Sequence, residues 1–184
     1  GCVLAAGSGW HGFNLSGDEN ALSIIRGFAI RDAHIGIHCE SDAGPRIQNC
    51  TLIENTEVGI ECLGRSAPAI ENCTMVHNGK YGLACRENSA PSIRNSIIWG
   101  NSFNQIDGIT SSVSVAYTCI QNDWLGAGNI SVNPALVPQS GRLTASSPCI
   151  DAGEVNDLPE DRDGEGRELV FPGRVSAVDL GADE

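Results

Sequence analysis

The sequence predicts an all-β solenoid, a parallel β-helix in which short strands wind into stacked coils. Three observations predict it. One octapeptide recurs: Pro45-Arg-Ile-Gln-Asn-Cys-Thr-Leu52, Pro68-Ala-Ile-Glu-Asn-Cys-Thr-Met75 and Pro91-Ser-Ile-Arg-Asn-Ser-Ile-Ile98, with the prolines 23 residues apart. Within a copy the apolar residues come at short alternating intervals, Ile47, Cys50 and Leu52, then Ile60 and Cys62. That is strand periodicity, not helix periodicity. The cysteines keep the same interval: from Cys39 to Cys85 they step alternately by 11 and 12 residues. Cys39, Cys62 and Cys85 therefore share one repeat position. Cys50 and Cys73 share another, continued by Ser96 and Cys119. A unit this short cannot bury its apolar side alone. Stacked at roughly 4.7–4.9 Å per layer, the units close a common core.

Taken in order, residues 1–21 read as a degenerate first coil or an N-terminal cover. Gly7-Ser8-Gly9 and Ser16-Gly17-Asp18 are turn chemistry, and Trp10 and Phe13 are expected to cover the open end. Coils occupy residues 22–121. The copies run 22–44, 45–67, 68–90 and 91–113, and a fifth, from Ser114, keeps Val115, Cys119 and Ile120 before dissolving. Asn49 and Asn55 interrupt the apolar runs, and Asn tolerates the left-handed corner conformation. Residues 122–184 form a loop and a C-terminal cap, expected because an open solenoid end exposes core and strand edges.

Register makes columns. Asn49, Asn72 and Asn95 form one, and Asn55, Asn78 and Asn101 another. A primary amide donates and accepts, so both columns are expected to bond up and down the stack. The outward columns mostly alternate in sign: Arg31, Glu54, His77; His34, Glu57, Lys80; Asp42, Arg65; Glu71, Arg94. Alternation lowers the repulsion between neighbouring layers. The sequons at Asn14, Asn49, Asn72 and Asn129 are discounted; two of them lie in an asparagine column, where a glycan does not fit.

The totals exclude some functions. A net charge of −12 argues against binding a nucleic-acid backbone, which needs a basic face. It is compatible with Ca2+ or neutral sugars. No apolar run reaches the roughly 18 residues of a membrane span. The chain opens at Gly1 without Met or leader, as if cut from a longer precursor, so a missing leader says nothing about compartment. Eight cysteines without a CxxC pair give no zinc or thioredoxin-like pattern. The stacked cysteines read as small core-filling thiols. Cys119 and Cys149 are the candidate pair for a bridge that pins the cap.

Residues 22–113, through Ile25-Arg-Gly-Phe-Ala-Ile30, Ile47-Gln-Asn-Cys-Thr-Leu52 and Ile93-Arg-Asn-Ser-Ile-Ile-Trp-Gly-Asn101, resemble the right-handed parallel β-helix repeat proteins of secreted bacterial origin, in the pectin-lyase-like superfamily. The tail is similar to the end of β-helix proteins that precede a choice-of-anchor sorting segment. It does so through Gly128-Asn-Ile130, Asn133-Pro134, Leu143-Thr-Ala-Ser-Ser-Pro-Cys-Ile-Asp-Ala-Gly153 and Val178-Asp-Leu-Gly-Ala-Asp-Glu184. The resemblance covers nearly the whole chain. It implies a right-handed parallel β-helix of about five 23-residue coils with an irregular cap, and a secreted or cell-surface location. The superfamily includes pectate lyases, polygalacturonases and alginate epimerases, but a shared fold does not assign an activity.

Two clusters are candidates for chemistry. Glu57 and Glu61, with His34, His38 and His77 near them in register, would sit together on one outer face. Glycoside cleavage needs two carboxyl groups, and a polyuronate lyase needs a base plus a cation to neutralise the substrate carboxylate. Ladder charges on exposed turns account for the same residues with fewer assumptions. Neither a polygalacturonase-like aspartate cluster nor a GxSxG or HExxH motif is present. In the tail, Asp157, Asp161, Asp163 and Glu165 are candidates for an irregular Ca2+ site. Asp161-Arg-Asp163-Gly164 fails as an EF-hand: with Gly164 sixth, Pro159 and Val170 fall where oxygen ligands are required. The alternative is a solvated turn in which Asp161 or Asp163 pairs with Arg167. The chain is expected to present a flat, elongated face to a polysaccharide or cell-surface glycan, or to act as a rigid spacer. The alternative is a carbohydrate-active lyase, hydrolase or epimerase.

Overall fold

The computed structural model describes residues 2–5, 7, 9–108, 111–156, 158, 160–164 and 178–182. Sixteen strands and no helix occur among them, and so no helix is long and apolar enough to cross a membrane. Three parallel sheets run the length of the stack. Sheet A joins β1 (Cys2–Ala5), β4 (Phe28–Arg31), β7 (Thr51–Ile53), β10 (Thr74–Val76), β13 (Ile97–Trp99) and β16 (Cys119–Ile120). Sheet B joins β2 (Phe13–Ser16), β5 (Ile35–Glu40), β8 (Val58–Cys62), β11 (Tyr81–Cys85) and β14 (Asn104–Asp107). Sheet C joins β3 (Ile24–Arg26), β6 (Arg46–Gln48), β9 (Ala69–Glu71), β12 (Ser92–Arg94) and β15 (Ser114–Ala116). Each coil takes one strand from each sheet, the predicted parallel β-helix.

The interior is three apolar files. Ile30, Leu52, Met75, Ile98 and Ile120 line sheet A. Ile37, Ile60, Leu83 and Ile106 line sheet B. Ile25, Ile47, Ile70, Ile93 and Val115 line sheet C. All fourteen belong to one buried cluster. Each buried aliphatic side chain contributes about 1.5–3 kcal/mol. The column Cys39, Cys62 and Cys85 is in file as expected, and all three thiols are buried and free.

The step between coils is 23 residues only in the middle. Towards the ends it departs from 23: it is 22 in Ala29↔Thr51 and Ile97↔Cys119, 24 in Phe13↔Ile37 and 26 in Cys2↔Phe28. A one-residue slip turns a side chain to the other face of a sheet. Cys119 therefore does not continue the Cys50–Cys73–Ser96 column. It stands over Ile97 and faces outward.

The asparagine columns also differ from each other. Asn55, Asn78 and Asn101 form the predicted ladder: Asn55 Nδ2 donates to Asn78 Oδ1 (3.0 Å), Asn78 Nδ2 to Asn101 Oδ1 (2.9 Å), and Asn101 Nδ2 to Gln105 Oε1 (2.8 Å). Asn49, Asn72 and Asn95 do not bond along the stack. They occupy left-handed corners, with φ of 52°, 51° and 48°, and their amides turn to the C-terminal segment. Asn95 Nδ2 donates to the Glu154 carbonyl (2.6 Å), Asn72 Oδ1 accepts from Asn156 Nδ2 (3.0 Å), and Asn49 Nδ2 donates to the Glu160 carbonyl (2.7 Å).

That segment lies along the flank of the stack. After a short antiparallel turn, with Leu136 bridged to Leu143, it runs back across three coils, from Asn95 to Asn49. Leu143, Cys149 and Leu180 pack on Ile53, Val76, Ile97 and Cys119, the outward residues of sheet A. Residues 178–182 return over the same face, where Gly181 N donates to the Asn95 carbonyl (2.9 Å) and Ala182 N to Thr74 Oγ1 (3.0 Å). At the first coil, Phe13 packs edge-on against Phe28. Trp10, expected to join it as a cover, is 76% exposed.

Candidate functional site

With sheet A covered, the outer face of sheet B is the richest in titratable side chains. Strand alternation sends Ile37 and Cys39 inward and His38 and Glu40 outward, and the register then stacks Asn14, His38, Glu61, Ala84 and Asp107 in one outward column. His38 Nδ1 lies 3.0 Å from Glu61 Oε2, and its Nε2 is 3.5 Å from Glu40 Oε2. Arg86 reaches Glu61 Oε1 at 3.6 Å and Asp107 Oδ2 at 3.2 Å. His11 lies over His38, ring centroids 4.8 Å apart.

Both members of the central pair are buried. The hydrogen bond that His38 donates to Glu61 raises the His38 pKa above 6.5, against desolvation, and the Glu40 carboxylate helps. The same bond lowers the Glu61 pKa below 4.5, with charge from His38 and Arg86 assisting. His11 moves the other way: burial, then the neighbouring His38 charge, lowers it below 6.5. The row is thus an oriented set of donors and acceptors, with an imidazole and a guanidinium held between carboxylates.

Aromatic side chains stand at both ends of the corner column that borders this face, where Trp10, His34, Glu57, Lys80 and Phe103 are bonded backbone to backbone in that order. At the β2 edge, Trp10 and His11 line a shallow cleft of about 260 Å³ with Gly9 and Asn14. At the β14 edge, Phe103 is 65% exposed and meets Tyr81 edge-to-face at 6.0 Å. Five strands at about 4.8 Å separate the two edges by about 19 Å.

The family question is settled by the coils. A family model described as "Right handed beta helix region" matches residues 2–123. The chain belongs to the right-handed β-helix family. The matched region of this β-helix contains every strand among the described residues and the whole of the sheet B face, and the C-terminal segment that straps sheet A lies beyond it. No curated protein and no solved structure matches the chain.

The β-helix brings His38 and Glu61 together and places His34 and Glu57 at the adjoining corner. There His34 Nε2 is 3.8 Å from Glu57 Oε2, and Lys80 pairs with Glu57. The exposed His77 lies at the same corner but packs beneath Gly100. In the tail, Asp161 is buried and its Oδ1 accepts from Asp163 N at 2.8 Å. Asp163 pairs with Arg142 at 3.1 Å and with Arg162 at 3.5 Å. Asp157 and Glu165 lie outside the described residues. Among the described residues no three acidic, histidine or cysteine side chains converge as metal ligands.

Sequence reasoning missed His11, Glu40, Arg86 and Asp107. Two of them were within its reach. Arg86 stands two periods after Glu40, and Asp107 two periods after Glu61. His11 was not, because the first coil steps by 24 residues on sheet B.

Proposed function

We propose that this β-helix is an exported or cell-surface module that binds polysaccharide along the outer face of sheet B. The observation that carries the reading is the pairing of exposed aromatics, Trp10 and Phe103, at the two ends of the corner column that borders that face, with His34, Glu57 and Lys80 between them and the His38–Glu61 row alongside. Sugar rings offer apolar C–H faces to aromatic side chains, and their hydroxyls need oriented donors and acceptors. His38, Glu61, Arg86 and Asp107 supply both. Export is supported by the resemblance of the coils and tail to secreted repeat proteins. A glycan array, followed by calorimetry on the polymers retained, tests binding. Trp10→Ala and Phe103→Ala should each weaken binding about tenfold, as the loss of one stacking contact of about 1.4 kcal/mol requires. Retention of no glycan at all would end the reading.

A second reading is cleavage or epimerisation of a polyuronate, favoured by the buried His38–Glu61 pair. A carboxylate that orients an imidazole and favours its protonated form suits a general acid. Incubation with uronate polymers, with and without Ca2+, should then yield unsaturated or shortened products that His38→Ala abolishes. Unchanged polymer in both conditions would leave binding alone.

A further inference from the structure

Cys119 and Cys149 come from distant parts of the chain and meet beneath the strap. Cys119 opens β16 and points outward because of the 22-residue step from Ile97. Cys149 ends the turn Ser147-Pro148-Cys149 and is held from several directions. Ser147 Oγ donates to the Pro134 carbonyl (2.6 Å) and accepts from Cys149 N (3.1 Å). Leu180 N donates to the Cys149 carbonyl (3.0 Å). Both cysteines are 0% exposed in one cluster with Ile97, Leu143 and Leu180, and Cys119 Sγ donates to the Val132 carbonyl at 3.2 Å.

This pair differs from the stacked cysteines. Cys62 and Cys85 occupy neighbouring rungs in register, so their side chains run parallel and the two Cβ atoms stay too far apart for a relaxed disulfide. Cys149 belongs to no rung. It enters the same buried cluster as Cys119 at the interface between strap and sheet.

We infer that Cys119 and Cys149 form a disulfide that staples the C-terminal strap to sheet A when the folding chain meets a disulfide oxidant. Before the strap is seated, the Cys119 thiolate attacks a sulfur of the oxidant, such as oxidised glutathione, and expels one glutathione thiolate. The Cys149 thiolate then attacks the Cys119 sulfur of the mixed disulfide and expels the second. Two cysteine thiols are oxidised to one disulfide, and one oxidant disulfide is reduced to two thiols. The exchange accompanies seating of the strap, because both sulfurs are buried once it is seated. The bond closes a loop of about 30 residues and restricts the unfolded chain accordingly.

The test uses the full chain carrying Cys2→Ser, which removes the one exposed thiol, refolded in a glutathione redox buffer. Thiol titration after denaturation should find five of the seven remaining thiols. Peptide mapping should recover a single link, Cys119 to Cys149. The oxidised form should melt about 5–10 °C above the reduced form, and Cys149→Ser should abolish that difference. Seven free thiols, or a link between any other pair, would overturn the proposal. Should Cys149→Ser fail to fold, the peptide map of the chain that retains Cys149 still decides.

Discussion

His38 and His11 lie ring over ring yet shift in opposite directions, and each shift has a sign that stability must follow. The His38 pKa is raised above 6.5 by its bond to Glu61. Its stabilisation is fully present below about 6.5 and is lost as pH rises through the raised value. Glu61, lowered by the same bond, contributes stability above about 4.5 that is lost as pH falls through its lowered value. The pair is therefore strongest between those limits. His11, lowered mainly by burial, contributes above about 6.5 and loses its contribution as pH falls through its own lowered value. Titration of the imidazole resonances by NMR should place His38 above 6.5 and His11 below it, and Glu61→Gln should bring His38 down. A wild-type His38 that titrates at or below 6.5 would contradict the paired geometry. The pairing was half legible: the 23-residue spacing from His38 to Glu61 was in the sequence. The burial that separates the two histidines depends on where the first coil seats His11.

Among elements, the corners that follow β7, β10 and β13 carry the ladder. Asn78 makes four side-chain bonds. Its Oδ1 accepts from Asn55 N and Asn55 Nδ2, and its Nδ2 donates to the Leu52 carbonyl and Asn101 Oδ1. Asn78→Ala removes all four bonds, takes the acceptor from the buried Asn55 N–H and should cost about 3 kcal/mol in urea unfolding. Next to this ladder Gly59 allows close approach of backbone. A Cβ there would lie 2.7 Å from the Gly82 carbonyl and 3.1 Å from Asn78 Nδ2. Repetition made this element readable, since Asn55, Asn78 and Asn101 recur at one interval. The other column recurs as regularly, and its failure to form a ladder was not readable. Its backbone takes the left-handed corner, its side chains splay outward, and the strap supplies partners that have no period.

At the scale of the molecule, the strap leaves the three sheets unequal. Sheet A is covered, and sheet B keeps its titratable face open. Asn95 anchors the arrangement, bonding both the amide and the carbonyl of Glu154, beside an Arg94–Glu154 ion pair. Asn95→Ala removes those bonds and strains a corner at φ 48°. Hydrogen exchange in residues 150–156 and 178–182 should accelerate at least tenfold, while amides of β10 and β13 stay protected. Equal acceleration throughout would mean that strap and coils unfold as one unit. The coils were open to inference because their instructions repeat: one apolar file, one corner and one interval serve every layer, and burying each file admits one register. The strap's course was not, because its bonds join residues 59 and 111 positions apart that occur once each. Nor was the outward turn of Cys119, because a one-residue shortening at the last coil is invisible until strands are paired. Periodic burial is a local rule written many times over in the chain. Which outer face is covered depends on single long-range contacts, and these exist only after the coils have closed.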